Sequence, residues 1–94
     1  MARSDTNDPA SPADIVALQA LAWTLGDPER ARRLIDLTGL DPDALRARAG
    51  EPAVLVAVLG FLEANEADLI ACADDLGIRP EALVRVRSQL ENAA

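Results

Sequence analysis

Thr38-Gly39-Leu40-Asp41-Pro42-Asp43-Ala44-Leu45 holds the end of one helix and the start of the next. A glycine just past a helix takes up left-handed backbone without a Cβ penalty, and the apolar residue after it closes the cap. Asp41 then offers a side-chain oxygen to the open amides of a new first turn. Pro42 stands where a missing N–H costs nothing. The same punctuation recurs in both directions along the chain. Ser11-Pro12, Asp27-Pro28, Glu51-Pro52 and Pro80 read as helix starts, and Gly26, Gly50 and Gly77-Ile78 as stops.

Between these marks lie six helical segments. The first runs from 12 to about 25, with Ile15, Leu18, Leu21, Ala22 and Leu25 on one broad face. The second, from 28 to Gly39, carries Ala31, Leu34, Ile35 and Thr38 at helical spacing. A short third begins at Pro42 and ends near Gly50. The fourth is apolar at every position from Ala53 through Leu62, and a helix apolar all round belongs in the middle of something. Asn65-Glu66-Ala67-Asp68 offers a cap for a fifth helix over 66–76. The sixth opens at Pro80 and runs through Leu83, Val86 (or Val84) and Leu90.

Composition agrees. Half of the 94 residues are hydrophobic, mostly Ala and Leu, while Tyr is absent and Trp23 and Phe61 are the only aromatics. These are helix formers, and strand formers are scarce. The expected fold is all-α, a compact bundle of six short helices forming one domain over 11–94. A polar segment over 1–10 is expected to be a disordered tail, with no apolar stretch of the kind a signal peptide needs. At this length about 60–65% of the unfolded surface is buried, so the helices must pack well.

Two three-helix units are a further reading of the same pattern. At an offset of 38 residues, Gly39-Leu40-Asp41-Pro42-Asp43-Ala44-Leu45 lies over Gly77-Ile78-Arg79-Pro80-Glu81-Ala82-Leu83, and Trp23 over Phe61. Helix-stop followed by helix-start chemistry also generates that pattern in unrelated chains, so both origins stay open.

Little in the chain can do chemistry. It has no His, which removes imidazole acid–base catalysis and His metal ligation, and no Lys, which removes Schiff bases and the P-loop amine. Cys72, the lone cysteine, sits between alanines on an apolar helix and reads as a small core residue with no base to activate it. Asp74 and Asp75 are adjacent, so on a helix they point about 100° apart and cannot act as a pair. The arginines have local partners at i,i+4: Glu29 with Arg33, Arg32 with Asp36, Glu81 with Arg85, Arg87 with Glu91. Trp23, at helical spacing from apolar neighbours, reads as core and not as a binding hot spot.

The net charge of −7 lacks the basic footprint that phosphate binding needs. One segment nevertheless has the spacing of a helix-turn-helix. Cys72, Ala73, Leu76, Gly77, Ile78, Leu83 and Val86 would form its inner face, and Arg79, Pro80, Glu81, Val84 and Arg85 its outer one. Pro, Glu and Val make a poor surface for reading bases. The longest apolar run, Pro52 to Leu62, is about half of the ~20 residues a membrane span needs.

The order Leu21-Ala22-Trp23, Asp27-Pro28 and Thr38-Gly39-Leu40-Asp41-Pro42-Asp43-Ala44-Leu45-Arg46 resembles a short bacterial family known only as a domain of unknown function, thirty-five seventy-two in its series. The likeness runs from about Ile15 to Leu90. It implies a compact helical fold and no activity, so no functional residue is carried over. The expectation is therefore a non-catalytic, cytoplasmic protein-interaction module. It needs no cofactor or metal, its partner is another protein, and neither nucleic acid nor membrane is involved. It is expected to be a monomer with the fourth helix as its most buried element. Two alternatives stand beside it: a DNA-binding regulator contacting DNA through Arg79 and Arg85, and an enzyme with an unrecognised carboxylate or thiol site.

Overall fold

A computed structural model describes residues 12–93. The expected tail over 1–10 and the Ser11 cap lie outside the described residues. Six helices follow in order: α1 (Pro12–Leu25), α2 (Pro28–Thr38), α3 (Pro42–Ala47), α4 (Pro52–Ala64), α5 (Glu66–Leu76) and α6 (Pro80–Ala93). Among the described residues there is no strand, and no helix is long and apolar enough to cross a membrane.

The caps are built as their residues dictate. Asp27 accepts from the Arg30 amide at 3.0 Å and Asp41 from the Ala44 amide at 2.8 Å, each followed by its proline. Gly39 and Gly77 both take φ of 73°, a conformation open to glycine at no steric cost. Gly77 closes α5 with a double bond pattern: its amide donates to the Asp74 carbonyl at 3.1 Å, and the Ile78 amide to Ala73 at 2.9 Å. Asn65 departs from expectation. Its side chain makes no cap bond; only its carbonyl serves α5, accepting from the Leu69 amide at 2.9 Å. Asn65 is the single residue separating α4 from α5, and it must end one helix while starting the other. Its φ of −123° and ψ of 88° belong to that corner.

The core is formed by α4, α6 and α1, with α5 and α2 packed around them. From α4 come Val54, Leu55, Val58, Leu59, Phe61 and Leu62, more buried side chains than any other helix supplies. Leu83, Val86 and Leu90 face them from α6, while Val84 points outward. Six residues of the all-apolar run are thus buried by its own chain, while Ala53 is exposed and Val56, Ala57 and Gly60 are partly covered. Arg87 ties the arrangement from outside, bonding Glu63 of α4 and, at 2.6 Å, Glu91 one turn on; Glu63 is the main reason that its guanidinium holds its proton more tightly than usual. The two halves share the left-handed glycine, and α2 and α5 have 11 residues each. They diverge at the end: α3 has 6 residues and sits at the edge, whereas α6 has 14 and lies in the centre.

On α1 the buried face is only in part the one expected: Leu21 is buried and Leu25 packs against the core, but the rest of the face is turned outward. Ala17, Ala20, Leu21 and Thr24 are buried, while Ile15, Leu18 and Ala22 are exposed. The helix is apolar nearly all round, so hydrophobicity alone selects no face. Close approach does: the alanines at 17 and 20 let the backbone come near its neighbours, where Leu and Ile would hold it off. Thr24 enters the core because its hydroxyl donates to the Ala20 carbonyl at 2.8 Å and needs no outside partner.

Cys72 is a free, fully buried thiol. Burial pushes it up to about 11, with Arg30 opposing and Asp75 adding to the rise. Thiolate is the reactive form, so native Cys72 should react at least about a hundredfold slower with a disulfide reagent than the unfolded chain does. Absorbance traces with and without urea measure this; equal rates would place the thiol at the surface.

Candidate functional site

The exposed residues of α1 are spaced in an ordered way. Ile15, Leu18 and Ala22 follow one another at three and four residues, the spacing of a seam that packs against another helix, while Leu25, three residues on, is partly buried against the core. Ile15 is 47% exposed and Leu18 38%. Beside them runs a groove of 380 Å³ lined by Leu18, Leu21, Ala22 and Leu25 of α1, and by Arg46 and Ala49 at the end of α3. Small Ala22 and Ala49 leave the hollow, and Arg46 is its one charged side chain. Among the described residues Arg46 pairs with Asp43, at 3.6 Å, in a pair whose side chains are both largely exposed. Such a pair contributes little and exchanges readily.

On the other side of α1, Trp23 is half-buried and fully engaged. Its indole N–H donates to Asp75 Oδ2 of α5 at 2.6 Å, and the Arg30 guanidinium lies over its ring, 3.5 Å from the centroid. Arg30 also donates to the Trp23 carbonyl at 3.0 Å. Trp23 packs against the core as expected, only partly buried, and its contacts to Arg30 and Asp75 link α1, α2 and α5. The expected local arginine pairs hold only in part. Arg87 bonds Glu91, but Arg33 reaches across to Asp68 of α5 at 3.0 Å instead of Glu29. Neither Arg32–Asp36 nor Glu81–Arg85 forms among the described residues; Glu81 has Arg79 at 4.0 Å.

The helix pair α5–α6 turns as the spacing of its apolar residues predicts. Cys72 and Ala73 are buried, as are Leu83 and Val86, with Leu76 and Ile78 partly covered and Gly77 in the turn. Arg79, just before α6, and Arg85 on α6 are both exposed, with Glu81 and Val84 exposed between them.

A family model described as Protein of unknown function (DUF3572) matches residues 10–93. The chain belongs to this family. The match takes in the whole stretch from Ile15 to Leu90 that carried the resemblance, so every DUF3572 helix described above lies inside it. No curated protein and no solved structure matches the chain. The DUF3572 description assigns no activity, and the site must be read from the geometry. Of the residues singled out for function in the sequence, Arg79 and Arg85 are both exposed, and neither lines the groove beside α1. The α1 groove was missed because its residues were placed in the core. The signal was present: the 15, 18, 22 stripe is separate from the small-residue face of Ala17 and Ala20.

Proposed function

We propose that this protein is a small, non-catalytic interaction module of the cytoplasm that binds another protein chain in the groove beside α1. The observation that carries this reading is the exposure of Ile15 and Leu18 at helix-packing spacing along an apolar hollow. Single exposed apolar residues are ordinary, but an ordered apolar stripe next to a groove marks a binding surface. The non-catalytic part rests on residue types: without His or Lys, and with Cys72 buried, the common nucleophiles and bases are lacking. The single cysteine fits a reducing compartment. The DNA-binding alternative has less support, since Arg79 and Arg85 are interleaved with Glu81 and Val84 in a chain of net charge −7.

Affinity capture from cells that make the protein, with the full chain and with Leu18→Glu, tests the reading. Leu18 is exposed, so the variant should keep the helical circular dichroism spectrum of the parent. Proteins held by the parent and lost by Leu18→Glu are the expected result. An identical captured set from both would remove the groove from consideration.

A further inference from the structure

We infer that α3 is a releasable strap, which undocks as a unit while the other helices stay folded and thereby enlarges the groove beside α1. This rests on the interaction-module reading and adds a control to that same site.

The attachment of α3 carries the inference. Among the described residues, every hydrogen bond and ion pair made by 41–48 ends within 41–51. Asp43 pairs with Arg46, and Arg48 with Glu51 at 2.9 Å, so nothing polar ties α3 to another helix. Leu45 is its one buried side chain.

The second half of the chain shows what firmer attachment takes. At the offset of 38 residues, α3 lies over the start of α6, and Leu45 over Leu83. Helix α6 goes on to bury Val86 and Leu90, and its Arg87 bonds Glu63 of α4. In the first half the positions of Val86 and Leu90 fall to Arg48 and Pro52, both exposed, and Pro52 already belongs to α4. Only the first of the three apolar anchors remains. A helix of 6 residues does not hold together by itself in water, so that anchor must keep the whole turn in place. Elements with few buried contacts are the ones that open ahead of the whole molecule.

What α3 closes follows from the hollows on its flanks. Arg46 and Ala49 form one wall of the groove whose other wall is α1. A second hollow, of 250 Å³, lies against Val54 and Ala57 of α4 and is walled by Leu40 and Arg48, just before and just after α3. The two hollows thus have α3 and its ends as their common wall. Release withdraws that wall together with Leu45, and the hollows run into one longer apolar groove.

Hydrogen exchange on the full chain tests the release. The amides of Leu45 and Arg48 should be protected only about 10–1,000-fold, corresponding to an open population of roughly 0.1–10%. Those of Leu59 and Leu90 should be protected at least about 5,000-fold, the factor that global unfolding of a stable domain implies. Urea below the unfolding transition should leave the α3 rates almost flat, since little surface is exposed, and raise the others steeply. Equal protection, with all four amides on one urea line, overturns the inference.

Binding of anilinonaphthalene sulfonate to Leu45→Ala tests the enlarged groove. The dye should bind at least about tenfold more tightly than to the parent, a gain that roughly 60 Å² of added apolar contact supplies. In the same variant Leu59 and Leu90 should stay protected. Unchanged dye affinity, or protection lost at Leu59, overturns the inference. Neither measurement involves the partner chain, so a failure here leaves the module reading to the Leu18→Glu capture. Capture indifferent to Leu18→Glu, beside the expected exchange and dye results, removes the partner and keeps the strap.

Discussion

Leu59→Ala should lower the stability of this protein by on the order of 2–5 kcal/mol, as large-to-small changes do in a core that cannot collapse. Leu59 is fully buried on α4, the helix that touches α1, α2, α5 and α6. A void there has neighbours on every side, each held by a separate packing contact, so little relaxation can fill it. Domains of this size have total stabilities of only about 5–15 kcal/mol. The loss should move the thermal midpoint down by about 10–30 °C. Leu59→Met, which keeps the volume, should cost less than about 1.5 kcal/mol. Thermal and urea melts followed by circular dichroism give both numbers. A cost below about 1 kcal/mol for the alanine would show that α4 is not the element around which the others pack.

Leu45→Ala should act differently, destroying one element and sparing the rest. Leu45 is the one buried side chain of α3, a helix of 6 residues. So short a helix has no stability of its own in water and exists because it is docked. Removing its anchor forfeits on the order of 2–5 kcal/mol of contact, more than such a peripheral turn has in reserve. The element should undock locally while the global transition stays close to that of the parent. Hydrogen exchange reads the difference. The amides of Leu45 and Arg48, bonded to the carbonyls of Asp41 at 2.9 Å and Ala44 at 3.0 Å, should exchange almost as fast as unstructured ones. Amides of α4 and α6 should keep their protection. Loss of protection across all helices would mean that α3 is integral to the fold.

Helix ends were the most legible part of the fold because capping is local. Asp27, Asp41, Gly39 and Gly77 act on amides and carbonyls within four residues, and no tertiary contact competes for that role. Asn65 shows where the rule weakens: one residue had to serve two helices, and its side chain serves neither. The buried face of α1 was not legible for another reason. Ile15, Leu18 and Leu25 carry more apolar area than Ala17 and Ala20, and periodicity weighs area. The structure weighs distance of approach, which favours the smaller residues. The candidate site was lost with that choice, since the residues that line it were spent on the core. Arg33 gives a similar lesson: Glu29 lies one turn away on the same helix, but Asp68 on α5 meets the guanidinium once the helices are packed. Local spacing cannot anticipate a partner supplied by another element.

The packing of α1 against α6 bears on how the molecule comes into being. These are the first and last helices described, and they bury parts of each other. During synthesis α1 emerges before α6, so the part of α1 that packs against α6 lacks that neighbour until α6 has been made. The fold therefore closes late, as a ring closes, and a chain cut short before Leu83, Val86 and Leu90 would leave α1 and α4 facing water. Translation order thus leaves the nascent chain vulnerable to degradation and mispairing until α6 has emerged.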